Sequence, residues 1–510
     1  MRLDVRSLHR LTCWSLAVVV AAPAAARTYS IATTVDDATV NGNCTLREAI
    51  RAARDNAPVD ACLAGQASDT IVLPDGTYPF VGQEDFNVDV TVEIRGQSGT
   101  ASAAVVDLQN AGRFLFLSGN GPGSLMLRSF TVENGNSGVA GGGAIYSYGY
   151  ALTLEGMRFV GNHGVGQGGA VQYENNRGSG LTVRRTQFFA NGIDGRGGGL
   201  SASINDGAID LRDVIFQSNG ASSSSGTTGL GAWGGGLLLD AVGTGRAVCV
   251  RCLFSSNYVQ TSAAGFGAGV YGGGAYFLAQ GGKIQVVDAT FVSNFASVPA
   301  DVGALQAPAF VTSAFNGGVI ELDRVLVDLS SNTFSNGGAD VALFSSSGGY
   351  VSLGNAQVTS GSWNGIRAQT INSVVEIAAT TVAEYTLGTG VSMDSTGGGM
   401  VSLGGSLLAH NATDLTMVGD SNFLFTNCIA MSMGLFPGFV DSGAGDFHLS
   451  PASAAVDATV PLPLMRQADR DHRPRFVGID PDCGAYEVGG LFVDGFEVGD
   501  TGSFAATFPG

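Results

Sequence analysis

The stretch LTVRRTQFFANGIDGRGGGL, Leu181–Leu200, holds a phenylalanine at 188, an asparagine three residues later and a run of glycines closing at Gly199. The same spacing returns along the middle of the chain. Phe159/Asn162, Phe216/Asn219, Phe254/Asn257 and Phe291/Asn294 repeat the block, and glycine runs ending at Gly143, Gly169, Gly199, Gly236 and Gly274 precede the five phenylalanines. From last glycine to phenylalanine the distance is 16, 19, 17, 18 and 17 residues, whereas from asparagine to the next closing glycine it is 7, 8, 17 and 17. Each repeat is therefore a nearly fixed part plus a variable loop.

Within the fixed part, LTLEGMRF, LTVRRTQF, IDLRDVIF and IQVVDATF place small or apolar side chains five and two residues before the phenylalanine. That pattern predicts two short strands joined by a bend, too brief and glycine-rich for helices. Such a unit cannot bury its apolar face alone and must stack on its neighbours. The expected fold is all-β: a single-stranded right-handed parallel β-helix solenoid of about ten to thirteen coils. The five phenylalanines should form one interior column. The five asparagines should take left-handed turn geometry and hydrogen-bond to their counterparts one coil away. A β-propeller fits less well, because the fixed part holds too few strands for a four-stranded blade. Weaker coils continue through VIELDRVLVDLSSNTFSNGG, YVSLGNAQVTSG, VVEIAATTVAEYTLG and MVSLGGSLLAHN.

Composition agrees. The 510 residues include 77 glycines, about twice the usual share, yet 45% are hydrophobic, which argues against disorder. Residues 1–26 read as a secretory signal: Arg2, Arg6 and Arg10, an apolar run from Leu11 to Ala22, and the small residues Ala24 to Ala26. Taking its three arginines and one aspartate from the 25 basic and 43 acidic residues leaves a formal charge of −20. Nucleic acid and anionic lipid are not expected partners of so acidic a chain. No later stretch is apolar for long enough to cross a membrane as a helix. Cys13 leaves with the signal, and the remaining six cysteines suit an oxidising compartment. No cofactor is called for, with calcium the one metal left open, and a monomer is expected.

The ends carry a family resemblance. CTLREAI, Cys44 to Ile50, followed by Cys62 and SDTIVLPDGTY, resembles the CSLREA domain that opens secreted and surface bacterial β-helix proteins. GGAI at Gly142 with FVGN at Phe159 resembles the repeat of polymorphic outer membrane proteins, a pectin lyase-like architecture. GDFHLSPASAAVD and DRDHRPRFVGIDPDCGAYE are similar to the choice-of-anchor Q domain, and LFVDGFEVGDTGSF to a tail of secreted Gram-negative proteins. The implied organisation is signal 1–26, cap 27–85, coils 86–415, C-terminal module 416–490 and tail 491–510. The implied location is extracellular or on the outer surface of a Gram-negative cell. Without an LPxTG motif or a hydrophobic and basic tail after Glu487, covalent anchoring is not expected.

Thr45-x-x-Glu48 reads as a capping box, after which Leu46, Ala49, Ile50 and Ala53 share one helical face and Arg47, Arg51 and Arg54 the other. An amphipathic helix there would be a lid on the first coil, with Arg47 and Arg51 as an anion site the competing reading. A Cys44–Cys62 bond would clip the lid for about 3 kcal/mol of chain entropy. Cys428 and Cys483 are the other expected pair. Aligned on Phe254, Cys249 and Cys252 fall at interior positions, which suits buried thiols or a local disulfide better than half a zinc site.

Catalytic candidates are few. The coils hold no adjacent aspartates, no Gly-His-Gly and no Arg-Pro-Arg. His163, Asp194 and Arg196 lie just after the ladder asparagines, where adjacent coils could bring them together, but a solvated turn is the preferred reading. Asp469, Asp471 and Arg473 suit a structural salt bridge or calcium. The two long loops, Gly220 to Trp233 and Tyr258 to Tyr271, leave consecutive coils at one phase and should lie side by side. Their Trp233, Tyr258, Phe266 and Tyr271, with Tyr146, Tyr148 and Tyr150 nearby at strand spacing, form the expected binding face for a polysaccharide or surface glycan. Packing of the loops onto the helix is the plainer reading of these rings, and glycan binding the best functional lead. The leading expectation is recognition or attachment without catalysis, and the second is a polysaccharide lyase or glycoside hydrolase.

Overall fold

The computed structural model describes residues 26–488, apart from positions 88, 120–122, 139, 176–177, 224–230, 262–269, 298–306, 329–330, 333–337, 362, 421, 427–437, 463–464, 466 and 479. The chain winds into a parallel β-helix whose walls are one sheet of fourteen strands and two of twelve, with a shorter eight-stranded sheet along one side. One coil shows the build. Ile145–Tyr148, Ala151–Glu155, Arg158–Val160 and His163–Gln167 each belong to a different sheet and pair with the equivalent strand of the next coil. Pairing throughout these four sheets is parallel, which excludes the antiparallel blades of a propeller.

The Phe-x-x-Asn block builds the spine. Phe159, Phe188, Phe216, Phe254 and Phe291 stack with centroids 4.4–5.2 Å apart and planes within 12° of parallel. Beside them the asparagine side chains form a buried ladder: Asn162 Nδ2 donates to Asn191 Oδ1 (3.0 Å), Asn191 to Asn219 (2.9 Å), Asn219 to Asn257 (3.0 Å) and Asn257 to Asn294 (3.0 Å). Each Nδ2 also donates to a carbonyl of the preceding coil, and each Oδ1 from Asn191 onward accepts the backbone N–H of the asparagine before it, while that of Asn162 accepts the Gly135 N–H. An amide serves here because it donates and accepts at once, so no buried polar atom of the ladder is orphaned. The ladder asparagines themselves keep ordinary φ. The left-handed residue is the one before them, at Gly161, Ala190, Ser218, Ser256 and Ser293 (φ 53–61°), which corrects the sequence expectation.

The cap is a helix, Leu46–Asp55, with Thr45 Oγ1 accepting the Glu48 N–H and Glu48 accepting the Thr45 N–H. Leu46, Ala49, Ile50 and Ala53 are buried against the first coil. The arginines do not form an open polar side. Arg47 is only 8% exposed and binds Asp36 through Nε and Nη2 (2.7 and 2.8 Å) and Glu84 through Nη1 (2.8 Å), and Arg51 and Arg54 converge on the same Glu84. Each of the three has a carboxylate partner within the cap, and Arg51 is the most exposed of them. Cys44 and Cys62 are bonded to each other, as are Cys249 and Cys252 inside the core. Cys483 is disulfide-bonded; Cys428 lies outside the described residues.

At the other end the Arg475 guanidinium is fully buried, donating to Asn355 Oδ1 and the Gly484 carbonyl (2.8 Å each). It lies 3.7 Å from Glu487, and Ala485 N–H binds Thr381 Oγ1, so the GAYE segment is stitched to the side of the coils. Asp469 accepts the N–H groups of Asp471, Arg473 and Glu487 through its two carboxylate oxygens, a turn-organising role. Among the described residues no three His, Cys, Asp or Glu side chains converge to hold a metal ion.

Candidate functional site

The glycine runs are creases. Gly168, Gly197, Gly234 and Gly272 turn the chain from the short sheet onto the neighbouring twelve-stranded sheet with φ of 61–71°. A Cβ at Gly234 would lie 2.2 Å from the Leu237 carbonyl oxygen, and one at Gly198 2.2 Å from that of Gly235. Only glycine permits this fold of one sheet against the next. The crease makes a concave angle, and in it lies a groove of about 510 Å³.

Its floor is the outer face of the twelve-stranded sheet. Tyr148, Glu174, Ser203, Asp240 and Leu278 occupy one row across five successive strands. Its wall is the end of the short sheet, where Gln167, Arg196, Trp233 and Tyr271 form another row. The long loops do lie side by side at their ends, with Gly220 paired to Tyr258 and Trp233 to Tyr271.

The wall is rigid. Trp233 packs edge-on against Tyr271 (5.7 Å) and Tyr276 (5.3 Å), while the Arg196 guanidinium lies 3.3 Å from the Trp233 ring centre. Tyr276 is 7% exposed, and its hydroxyl donates to Ser313 Oγ at 3.0 Å. Burial pushes the Arg196 pKa down and holds that of the Tyr276 hydroxyl up at about 12. Arg196 Nε and Trp233 Nε1 are buried donors without a hydrogen-bond acceptor. The floor carries the opposite charge. Asp240 accepts from Gln280 Nε2 (3.1 and 3.2 Å) and Ser203 Oγ (3.4 Å), both neutral, and burial raises its carboxyl to about 6. Glu174 accepts from Gln172 Nε2 and from the Tyr146 hydroxyl (3.4 Å).

The aromatic face foreseen from the sequence is divided. Trp233 and Tyr148 line the groove, and Tyr271 packs behind Trp233. Tyr146 sits one row away, edge-on to Phe116 at 5.3 Å, and reaches the site through Glu174. Tyr258 lies at the far end of the short sheet, stacked on Phe295 at 5.4 Å. Phe266 is outside the described residues. Tyr150 does not share the face of Tyr146 and Tyr148. The strand ends at Tyr148, Gly149 turns the chain at φ 69°, and Tyr150 is swallowed by the core with its hydroxyl on the Val90 carbonyl.

The suggested trio of His163, Asp194 and Arg196 does not assemble. His163 pairs with Gly192, so the three side chains stand in successive outward rows spread over about 13 Å of strand. Only Arg196 reaches the groove. The sequence reading missed Glu174, Asp240, Tyr276 and Phe315, which line it. Counting from the true rung residues would have found two of them, Glu174 and Asp240: backbone hydrogen bonds equate Ala144, Ala170, Gly199, Gly236, Gly274 and Ala309, and Tyr148, Glu174, Ser203, Asp240, Leu278 and Ser313 each lie four residues later. No family model matches the chain, and no curated protein matches it in sequence.

Proposed function

We propose that the protein is a secreted or cell-surface β-helix that recognises a glycan, bound lengthwise in the groove at the glycine crease. The observation that carries this reading is the lining. Partly exposed aromatic rings, Tyr148 and Phe315, stand at the two ends, five strand spacings or about 24 Å apart. Between them stand Asp240, Glu174, Gln167 and Gln280, which can accept or donate to hydroxyls. A sugar ring offers an apolar C–H face and a rim of hydroxyls, and this mixture answers both. Two carboxylates against one arginine favour a neutral chain over an acidic one. The resemblance of CTLREAI and GAYE to the CSLREA and choice-of-anchor Q modules, with the Cys44–Cys62 bond, supports a place outside the cell.

The test is calorimetry after a glycan-array screen, with Tyr148→Ala and Phe315→Ala combined. Both rings are partly buried, so circular dichroism must first show the double variant folded, and its affinity for the selected glycan should fall at least tenfold. Unchanged affinity, or an array without a neutral glycan ligand, would overturn the assignment.

A further inference from the structure

The middle of the groove sets a cation and an anion on facing surfaces and pairs neither. On the wall, the Arg196 guanidinium rests on the Trp233 ring, and among the described residues no carboxylate binds it. A guanidinium lying on a ring keeps its N–H donors in its own plane, directed past the ring edge. On the floor, Asp240 is met only by Ser203 and Gln280. Tyr276 is within reach of both charges, since Asp240 pushes the pKa of its hydroxyl up and Arg196 draws it down.

The surface joining the two is apolar. Leu238 lies two residues before Asp240 on the same strand, hence on the same outer face and about 6.6 Å away along it. It is in register with Tyr276, and the two are 5% and 7% exposed. Both line the groove with Trp233, Arg196 and Asp240.

The polar groups that a sugar carries meet this strip differently. A hydroxyl answers Asp240 or Arg196 but leaves the apolar strip uncovered. A carboxylate suits Arg196 and is opposed by Asp240 and Glu174, whereas an ammonium suits the carboxylates and is opposed by Arg196. An acetamido group is neutral, and its carbonyl accepts, its N–H donates and its methyl is apolar. Laid across the strip, its carbonyl oxygen takes N–H groups of Arg196, its N–H goes to the Asp240 carboxylate and its methyl covers Leu238. Both hydrogen bonds are charge-assisted, and a chain without the group leaves both charges unanswered.

Resting on the glycan-recognition reading, we infer that the groove selects a chain of N-acetylated hexosamine, with one acetamido group held between Arg196 and Asp240 over Leu238.

The experiment titrates the full chain calorimetrically with chitohexaose, its deacetylated form and cellohexaose, three chains that differ only in the substituent on the second carbon of each sugar. Arg196→Met and Asp240→Asn serve as variants. Chitohexaose should bind at least tenfold more tightly than either of the others, and in each variant its advantage over cellohexaose should shrink to about twofold or less. The ratio is the readout, because a loosened wall or floor weakens all three chains alike. Equal affinity for chitohexaose and cellohexaose would overturn the acetamido assignment and leave the recognition reading standing. Tightest binding by the deacetylated chain would overturn it as well, because the carboxylates would then be holding amines. A preference that survives both variants would overturn the assignment to Arg196 and Asp240. Binding by none of the three would also overturn it, and the recognition reading would fall with it only if no other neutral glycan on the array bound.

Discussion

The cap and the groove both concentrate charge on a chain that is only 13% charged, and they treat it in opposite ways. In the cap, Arg47, Arg51 and Arg54 share Glu84, with Asp36 and Asp55 completing the set, and Glu84 is 3% exposed. In the groove, Arg196 lies on a tryptophan face, and Asp240 is met by an amide and a hydroxyl. Groups of opposite sign stand on floor and wall without pairing. Charges neutralised within the protein hold a lid in place. Charges kept desolvated beside a cavity and left to neutral neighbours cost stability, and the recognition proposal takes that cost as the trace of a ligand site.

The sharpest way to break this contrast is Glu84→Ala. It leaves Arg47 half-compensated at a buried position, for which the expected loss is about 3–5 kcal/mol. A solenoid need not unfold in one step, so the measurement is local: trypsin cleavage after Arg47 or Arg51, or amide exchange across Leu46–Asp55. A cap that stays protected would mean the arginine cluster is ornament.

Asp240→Asn should move stability the other way. A carboxyl whose folded pKa is raised favours the fold when protonated, and stability drains away as pH rises from the unfolded value of 3.8 through about 6. Removing the charge should therefore stabilise the protein at pH 7.5 by roughly 1–3 kcal/mol, with the gain vanishing near pH 4. Denaturation followed at both pH values checks it. A loss at pH 7.5 would place Asp240 with the structural charges of the cap.

His448 in the C-terminal module stands between these extremes. Burial opposes its positive charge, but hydrogen bonds to Asp471 (2.7 Å) and Asp446 (2.6 Å) outweigh it and raise the imidazole pKa, while the same contact lowers that of Asp446. The histidine's contribution is complete below its ordinary value of about 6.5 and is lost as pH rises through the raised one. The aspartate's is present above the ordinary carboxylate range and is lost as pH falls through its lowered value. The tie is partly exposed, so His448→Ala should cost about 1 kcal/mol at pH 6 and less at pH 9. Amide exchange over Asp446–Leu449 reads it out.

The spine was legible in the sequence because its chemistry repeats along the chain at nearly constant spacing. Phe188 and Asn191 have counterparts in every neighbouring coil, and Thr45 with Glu48 carry a cap within four residues. The groove was hidden because its residues meet across strands. A search for adjacent aspartates looks along a strand, whereas Glu174 and Asp240 lie 66 residues apart and face the same way only in the correct register. The last glycine of each run is a false anchor. Gly143 and Gly169 sit one residue before the positions equivalent to Gly199, Gly236 and Gly274, and a slip of one residue assigns a side chain to the opposite face. Tyr150 was misplaced for a related reason, since alternation was carried through Gly149, where the strand has already ended.

The smallest expected effect tests the cap from within. Arg51 and Arg47 bind the same oxygen of Glu84 at 2.8 Å, but the Arg51 side chain is 36% exposed and that of Arg47 10%. Water can replace much of what Arg51 supplies, so Arg51→Ala should cost no more than about 1 kcal/mol. Arg47 also binds Asp36 and the Val81 carbonyl and covers the Phe80 ring at 4.0 Å, so its removal orphans several groups at once. If Arg51→Ala opened the helix to exchange as fully as Glu84→Ala, neutralising Glu84 would take all three arginines. If it changed nothing measurable, Arg47 and Arg54 alone would keep the lid's charges balanced, and the distinction between cap and groove would rest on their ties to Asp36, Asp55 and Glu84.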